Sequence, residues 1–183
     1  MQPSLSLSYN SRGGNGLVGV GWTLSGFSQI TRCPKSLRVS GSVAPVSYND
    51  AVDQFCLDGN PLVWSAADGF YRTRGETFSK IVKTGSGTSV VWNVFTKDGR
   101  TLTFFPDGVV RRRTDPVTGT LSGDFVPGWW LTRIVDRFNN SIQFEYTNGK
   151  GPDAAESDWT VERYPTKIKY NAPTFAREVV LSY

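Results

Sequence analysis

The chain has 183 residues, of which 38% are hydrophobic and 20% are charged, a composition typical of a globular domain with its own core. It contains no histidine, which excludes the usual serine and cysteine triads and most zinc sites. The net charge of +4 is too small to predict a nucleic-acid partner, and no apolar run is long enough for a membrane-spanning helix.

The N-terminal region predicts two strands joined by a glycine-rich turn system. Leu5, Leu7 and Tyr9 alternate with serines, which is the period of a strand near 4–9, and a second strand is predicted near 27–32. Five glycines lie between them, and we interpret them as backbone turns: Gly13, Gly14, Gly16, Gly19 and Gly21. Three of these glycines match a dinucleotide-binding fingerprint, but the residues that follow are poor helix formers. We therefore predict no nucleotide cofactor.

Strand signals recur at short intervals along the rest of the chain. Turn pairs such as Asp58-Gly59, Asp98-Gly99 and Asn139-Asn140 separate them. The predicted strands lie near 54–57, 61–64, 70–73, 78–83, 89–97, 100–105, 108–113, 129–136, 141–147, 165–170 and 177–183. The best helix candidate, 153–161, is at most two turns long. The predicted fold is therefore all-β, an antiparallel hairpin array that forms a curved sheet or closes on itself, with almost no helix, in one domain of residues 1–183.

Acidic residues offer the chemistry that remains, because a glycosidase needs two carboxylates that face each other across a sugar. The candidates are Asp124, Asp136, Glu145, Asp158 and Glu162. They are not clustered in the sequence, and most acidic residues of the chain lie in turns, where local hydrogen bonds explain them. We therefore predict that the chain is not an enzyme.

Basic and aromatic residues suggest two binding hypotheses. Arg111, Arg112 and Arg113, with Lys97 and Arg100, would form a basic patch next to the aromatic residues Trp92, Phe104 and Phe105. We prefer the interpretation that the arginines face solvent, and we predict no nucleic-acid partner.

The tryptophans support a more serious alternative. Trp64, Trp92, Trp129 and Trp130 would form a sugar-stacking platform if they were exposed, whereas buried they would be core residues. Exposure would make the chain an extracellular carbohydrate- or surface-binding module.

The opening residues MQPSLSLSYNSRGGNGLVGVGWTLSGFSQITRCP resemble the start of the SpvB/TcaC N-terminal domain. This family begins plasmid-virulence B proteins, insecticidal toxin complex B components and many Rhs/YD-repeat proteins. Later stretches follow the family's order: 53–59, 71–73, 78–81, 92–103, 136–141 and 164–168. The resemblance implies a fragment of a much larger secreted or cell-surface bacterial protein. Its expected function is structural, as part of a β-shell that encapsulates or delivers a toxic C-terminal domain.

The same resemblance bears on partners and on the two cysteines. It implies contact with the remainder of the same large chain or with other toxin-complex subunits, and self-association through unpaired strand edges. Cys33 and Cys56 lie 23 positions apart. They cannot form an ordinary zinc site without histidine, so they are either two buried thiols or a disulfide, which the exported context of the family permits.

Overall fold

The computed structural model of the chain describes residues 1–16, 18–106, 111–114, 121–150, 160–171 and 177–182, with the backbone alone at 111–114, 121–124, 148–150 and 160–162. Almost all regular structure in these residues is β. The strands are β1 (Ser6–Tyr9), β2 (Asn15–Gly16), β3 (Gly19–Val20), β4 (Trp22–Ser25), β5 (Gln29–Cys33), β6 (Gln54–Leu57), β7 (Asn60–Ser65), β8 (Phe70–Thr73), β9 (Lys80–Thr84), β10 (Val91–Phe95), β11 (Thr101–Phe105), β12 (Arg111–Thr114), β13 (Leu121–Phe125), β14 (Gly128–Val135), β15 (Ser141–Lys150), β16 (Thr160–Tyr170) and β17 (Arg177–Val180). The helices are α1 (Leu37–Ser40) and a 3₁₀ turn at Gly87–Ser89.

Eight strands form a closed antiparallel barrel. Strands β5 to β11 are neighbours in chain order, and β14 pairs with both ends of this series. Its first residues pair with β5, in the register Trp129↔Ile30, and the rest of the strand pairs with β11, in the register Leu131↔Phe104. The predicted curved sheet is therefore closed by one long strand rather than left open.

A three-strand extension continues from β14 beyond the barrel. The last residues of β14 pair with β15 in the register Ile134↔Ile142, and β16 and β17 follow in antiparallel order. One face of the extension is apolar, with Phe144 and Ile168 buried and Phe27 packed edge-to-face on Phe144 at 5.8 Å. The opposite face carries ion pairs, such as Lys169–Glu145 at 2.5 Å.

Aromatic side chains fill the barrel. Trp92, Trp129 and Phe104 are fully buried, and Phe55 is almost so. The rings of Trp92 and Trp129 meet edge-to-face with centroids 5.7 Å apart, and Phe55 contacts both rings. Because a strand alternates its faces, these residues explain the period-2 pattern of the sequence.

Local turn chemistry explains several of the hairpins. Asp58 (φ 48°) and Gly59 (φ 79°) both have positive φ, which is the geometry of a two-residue type I′ turn. The Asp58 carboxylate accepts hydrogen bonds from Ser28 Oγ and Gln29 N. The β14–β15 turn uses Asn139 at φ 64°.

Four points of the sequence prediction need comment. The strand β4 was not predicted, because glycines flank it on both sides; it forms by pairing with β1. The strand β13 was also not predicted. Of the helix candidate 153–161, all but Thr160 and Val161 lie outside the described residues, and these two begin β16. Part of the predicted strand near 108–113 also lies outside them, and its last three residues belong to β12.

Candidate functional site

Two cationic side chains lie inside one end of the barrel. Arg32 on β5 pairs with Phe55 across the sheet, and Lys83 on β9 pairs with Trp92. The side chain of Arg32 is only 3% exposed. Its guanidinium carbon lies 5.4 Å from the ring centroids of both Phe55 and Trp129, and Lys83 Nζ lies 4.7 Å from that of Phe55. Cation–π contact of this kind is strongest where water is excluded.

The loop between β5 and β6 supplies the counter-charges. Arg32 donates from Nη2 to Asp50 at 2.5 Å, from Nη1 to Asp53 at 3.0 Å and from Nε to the carbonyl oxygen of Val126 at 2.7 Å. Lys83 Nζ donates to the other oxygen of Asp50 at 2.7 Å. We call these residues, Arg32, Asp50, Asp53 and Lys83, the mouth network.

The pKa values of both aspartates reflect these contacts. Burial alone would raise the pKa of Asp50, but hydrogen bonds from Lys83 and Arg32 outweigh it and hold the pKa below its ordinary 3.8. Burial also opposes ionisation of Asp53, yet hydrogen bonds from Ser47 and Arg32 lower the pKa of that carboxyl below 3.8. Both carboxylates are therefore ionised at neutral pH.

A cavity of about 460 Å³ opens at this mouth, and its lining includes Arg32, Asp50 and Lys83 of the mouth network together with Tyr48, Ser86 and Gly87. The network contains two cations and two anions in direct contact, so its charges cancel locally. Its donors and acceptors are directed at one another or at Val126 and Ser47. This arrangement holds the β5–β6 loop on the barrel.

The two cysteines lie at the base of the same loop. Cys33 ends β5, and Cys56 lies on β6 diagonally across from it. The structure joins them in a disulfide with Sγ atoms 2.07 Å apart. The disulfide and the mouth network together fix both ends of residues 34–53.

The glycine-rich segment forms a two-stranded ribbon. Strands β1 and β4 pair in the register Tyr9↔Trp22, and the short hairpin β2–β3 is its tip. Gly19 and Gly21 have positive φ, at 109° and 78°. A Cβ on Gly21 would lie 2.7 Å from Asn10 O, and one on Gly16 would lie 2.5 Å from Trp22 O. A Cβ on Gly13 would lie 3.0 Å from Asn10 O, whereas a Cβ on Gly14 would meet nothing within 4 Å. The segment therefore serves backbone geometry at four of the five positions.

The interpretation of the tryptophans as one exposed platform is wrong for two of them. Trp92 and Trp129 are fully buried in the barrel. Trp130 is half-buried against Tyr146, with ring centroids 5.8 Å apart. Trp64 is 52% exposed, and its ring meets that of Tyr71 edge-to-face with centroids 5.0 Å apart. A flat platform that includes all four tryptophans does not exist in this fold.

The described acids and aromatics of the other hypotheses have local roles. Asp136 accepts hydrogen bonds from Phe138 N, Asn140 N and Asn140 Nδ2, and the Asn140 contact lowers its pKa below 3.8. Glu145 pairs with Lys169. Phe104, like Trp92, is buried and cannot stack on a base, whereas Phe105 is 41% exposed.

The remaining candidates lie outside the described side chains: Asp124, Asp158, Glu162, Arg111, Arg112 and Arg113. Within the described part of the chain, no three histidine, cysteine or acidic residues cluster as a metal site. No helix there is long and apolar enough to cross a membrane.

The sequence interpretation missed the mouth network. One signal was present, because Arg32 lies two residues after Ile30 and therefore shares its strand face. Its partners come from an irregular loop, whose path the strand pattern does not predict.

Known proteins share this fold. Residues 1–76 match the family model described as Salmonella virulence plasmid 65kDa B protein. The N-terminal domain of the effector SpvB from Salmonella typhimurium has a similar structure (TM-score 0.65, 24% identity), with 92% of this chain and 58% of that chain covered. The structure of TcdB2-TccC3 is also similar (TM-score 0.63, 22% identity). The match covers 93% of this chain and 9% of that chain.

A chain of the Tc holotoxin pore of Photorhabdus luminescens has a similar structure as well (TM-score 0.62, 22% identity). That match covers 92% of this chain and 8% of that chain. No curated protein matches the chain. This chain thus spans little more than half of the SpvB domain structure and less than a tenth of the toxin-complex chains. The resemblance to the SpvB N-terminal domain family is confirmed, in sequence over residues 1–76 and in fold over 92% of the chain.

Proposed function

We propose that the chain is a non-catalytic structural segment of a bacterial toxin or effector of the SpvB and Rhs type. In this proposal it forms part of a β-shell that encapsulates or delivers a toxic C-terminal domain. The observation that carries the proposal is the fold match, which covers 92–93% of this chain but only 9% of the TcdB2-TccC3 chain. In the TcdB2-TccC3 chain, a fold similar to this one accounts for less than a tenth of the length.

The geometry of the described residues supports a structural role. The barrel interior is filled by Trp92, Trp129 and their neighbours, and the charges at its mouth are paired with each other. These side chains contact one another and stabilise the fold. The proposal therefore assigns this segment no reaction of its own.

The edge of the extension supports continuation into a larger sheet. β17 is the last strand of the main sheet in the described residues. Leu181 N donates to Thr166 O at 2.9 Å, and bonded positions alternate along an antiparallel strand. The N–H of Val179 therefore points to β16, whereas the N–H groups of Glu178 and Val180 point to the open edge. Such an edge accepts a further strand, which we assign to the remainder of the chain or to another toxin-complex subunit.

A bacterial cell surface or secreted location follows from the same proposal. The disulfide between Cys33 and Cys56 supports it, because disulfides persist in oxidising compartments. A chain that stayed in a reducing cytosol would lose this cross-link.

Proline substitution at the edge tests the proposal. Val180→Pro removes an N–H that only a further strand would use, so we expect it to destabilise the complete protein but not the 183-residue chain. Val179→Pro is the matched control, because it removes a bond to β16 and should destabilise both. Equal melting temperatures of the complete protein with and without Val180→Pro would contradict the proposed wall.

The carbohydrate-binding alternative has one observation in its favour, the exposed ring of Trp64 beside Tyr71. A glycan array checks it directly. Binding of a glycan that is lost in Trp64→Ala and kept in Phe138→Ala would favour this alternative over the shell. We expect no such binding.

A further inference from the structure

The glycine-rich ribbon carries an apolar face that the rest of the described chain leaves uncovered. The register pairs Leu7 with Leu24 and Tyr9 with Trp22, so these four side chains share one face. Leu7 and Tyr9 are each 60% exposed, and Trp22 is 42% exposed. At the tip, Val18 and Val20 are also exposed. Exposed apolar side chains grouped on one ribbon mark an interaction site.

Charged side chains are almost absent from both faces of the ribbon. Arg12 is the only charged residue among residues 1–31, and the first acidic residue of the chain is Asp50. The reverse face carries small hydroxyl side chains, including Ser6 and Ser25, whose Oγ atoms lie 2.6 Å apart in a hydrogen bond. The hydrogen bond between Ser6 and Ser25 lowers the free-energy cost of removing this reverse face from water, and the absence of charge lowers it further.

A ribbon that docks on a protein needs only one buried face, and its other face is free to carry charge. A ribbon that enters a lipid interface is surrounded by lipid, so the side chains of both faces must lose contact with bulk water at low cost. The uncharged reverse face thus favours lipid over a protein groove. Tyrosine and tryptophan are the residues that concentrate at membrane–water interfaces, and a lone arginine complements anionic headgroups.

We propose that the ribbon binds the interfacial region of an anionic phospholipid membrane. Val18 and Val20 at the tip lie among the headgroups and upper acyl chains, Tyr9 and Trp22 lie at the polar boundary, and Arg12 contacts phosphate. The ribbon enters the interface tip first and does not span the bilayer, because the outer edges of β1 and β4 would leave backbone groups unsatisfied in hydrocarbon.

Vesicle binding of the 183-residue chain tests this inference. The probes are vesicles of phosphatidylcholine alone and of phosphatidylcholine mixed with phosphatidylglycerol, followed by flotation. We expect binding to the mixed vesicles, and a loss of roughly tenfold or more in the double variant Val20→Ser/Trp22→Ser, because two apolar side chains leave the interface. Phe138→Ser is the matched control, since Phe138 is 73% exposed on the β14–β15 turn. We expect this variant to bind the vesicles as the parent chain does.

Charge and self-association complete the test. Arg12→Gln should weaken binding to the mixed vesicles by roughly fivefold and leave the phosphatidylcholine vesicles unaffected. Circular dichroism should show that each variant keeps its barrel. Absence of vesicle binding, or equal losses in the ribbon and Phe138 variants, would overturn the inference. Sedimentation that shows self-association abolished by Val20→Ser/Trp22→Ser, without vesicle binding, would assign the face to a second copy instead.

Discussion

Removal of the Asp53 carboxylate should destabilise the barrel more than any surface charge does. The side chains of Arg32 and Asp53 are 3% and 2% exposed, so Asp53→Ala leaves a buried guanidinium without one of its two counter-ions. Breaking a buried pair costs about 3–5 kcal/mol. Asp50 still contacts Arg32 at 2.5 Å, which places the ion-pair loss near the lower limit, about 3 kcal/mol. The two hydrogen bonds from Ser47 N and Oγ add about 1 kcal/mol.

Urea unfolding followed by tryptophan fluorescence measures this loss, because Trp129 lies against Arg32 in the barrel. The expected change is a lower midpoint with an unchanged slope. Asp68→Ala is the matched control: Asp68 pairs with Arg72 at 3.1 Å, but both side chains are more than a third exposed, so we expect a much smaller loss of stability. If Asp53→Ala costs no more than Asp68→Ala, the mouth network does not hold the loop as argued.

Three further predictions concern acid, backbone geometry and the disulfide. The pKa values of both mouth aspartates are lowered from 3.8. Their contribution to the free energy of unfolding is therefore complete above that pH and is lost as the pH falls through the folded-state pKa values. On acid titration, Asp53→Ala should lose less stability than the parent chain. Gly21→Ala should accelerate hydrogen exchange at Asn10 N, which donates to Gly21 O, whereas Gly14→Ala should not, because a Cβ at Gly14 meets nothing within 4 Å; equal rates in both variants would refute the geometric reasoning. Cys33→Ser/Cys56→Ser should lower the free energy of unfolding by about 3 kcal/mol for a loop of this size, and a variant as stable as the parent would contradict the cross-link.

The hairpins of this fold could be predicted from the sequence because their signals are local. The Asp58-Gly59 pair adopts positive φ at both residues, as its composition predicts. The alternation of Ile142 and Phe144 with polar residues likewise predicted the faces of β15. Each of these signals depends on a few neighbouring residues, so the sequence is enough to recognise it.

Barrel closure and the mouth network depend on residues far apart in the chain. The strand β14 pairs with β5 about 100 residues earlier, and no local pattern specifies which distant edge a strand will join. The burial of Trp92 and Trp129 follows from that closure, which is why the sequence alone left their core and exposed interpretations both open. The sequence did not single out Arg32, because its aspartate partners lie in the irregular loop 34–53.

Electron cryomicroscopy of the complete protein that contains this chain tests the central claim most directly. The account predicts that the barrel is built into the wall of a hollow β-shell, that a further strand pairs with Glu178 and Val180 at the open edge of β17, and that the shell encloses additional polypeptide. A map in which the barrel stands apart from the rest of the protein, with the edge of β17 open to solvent and no enclosed volume, would contradict it.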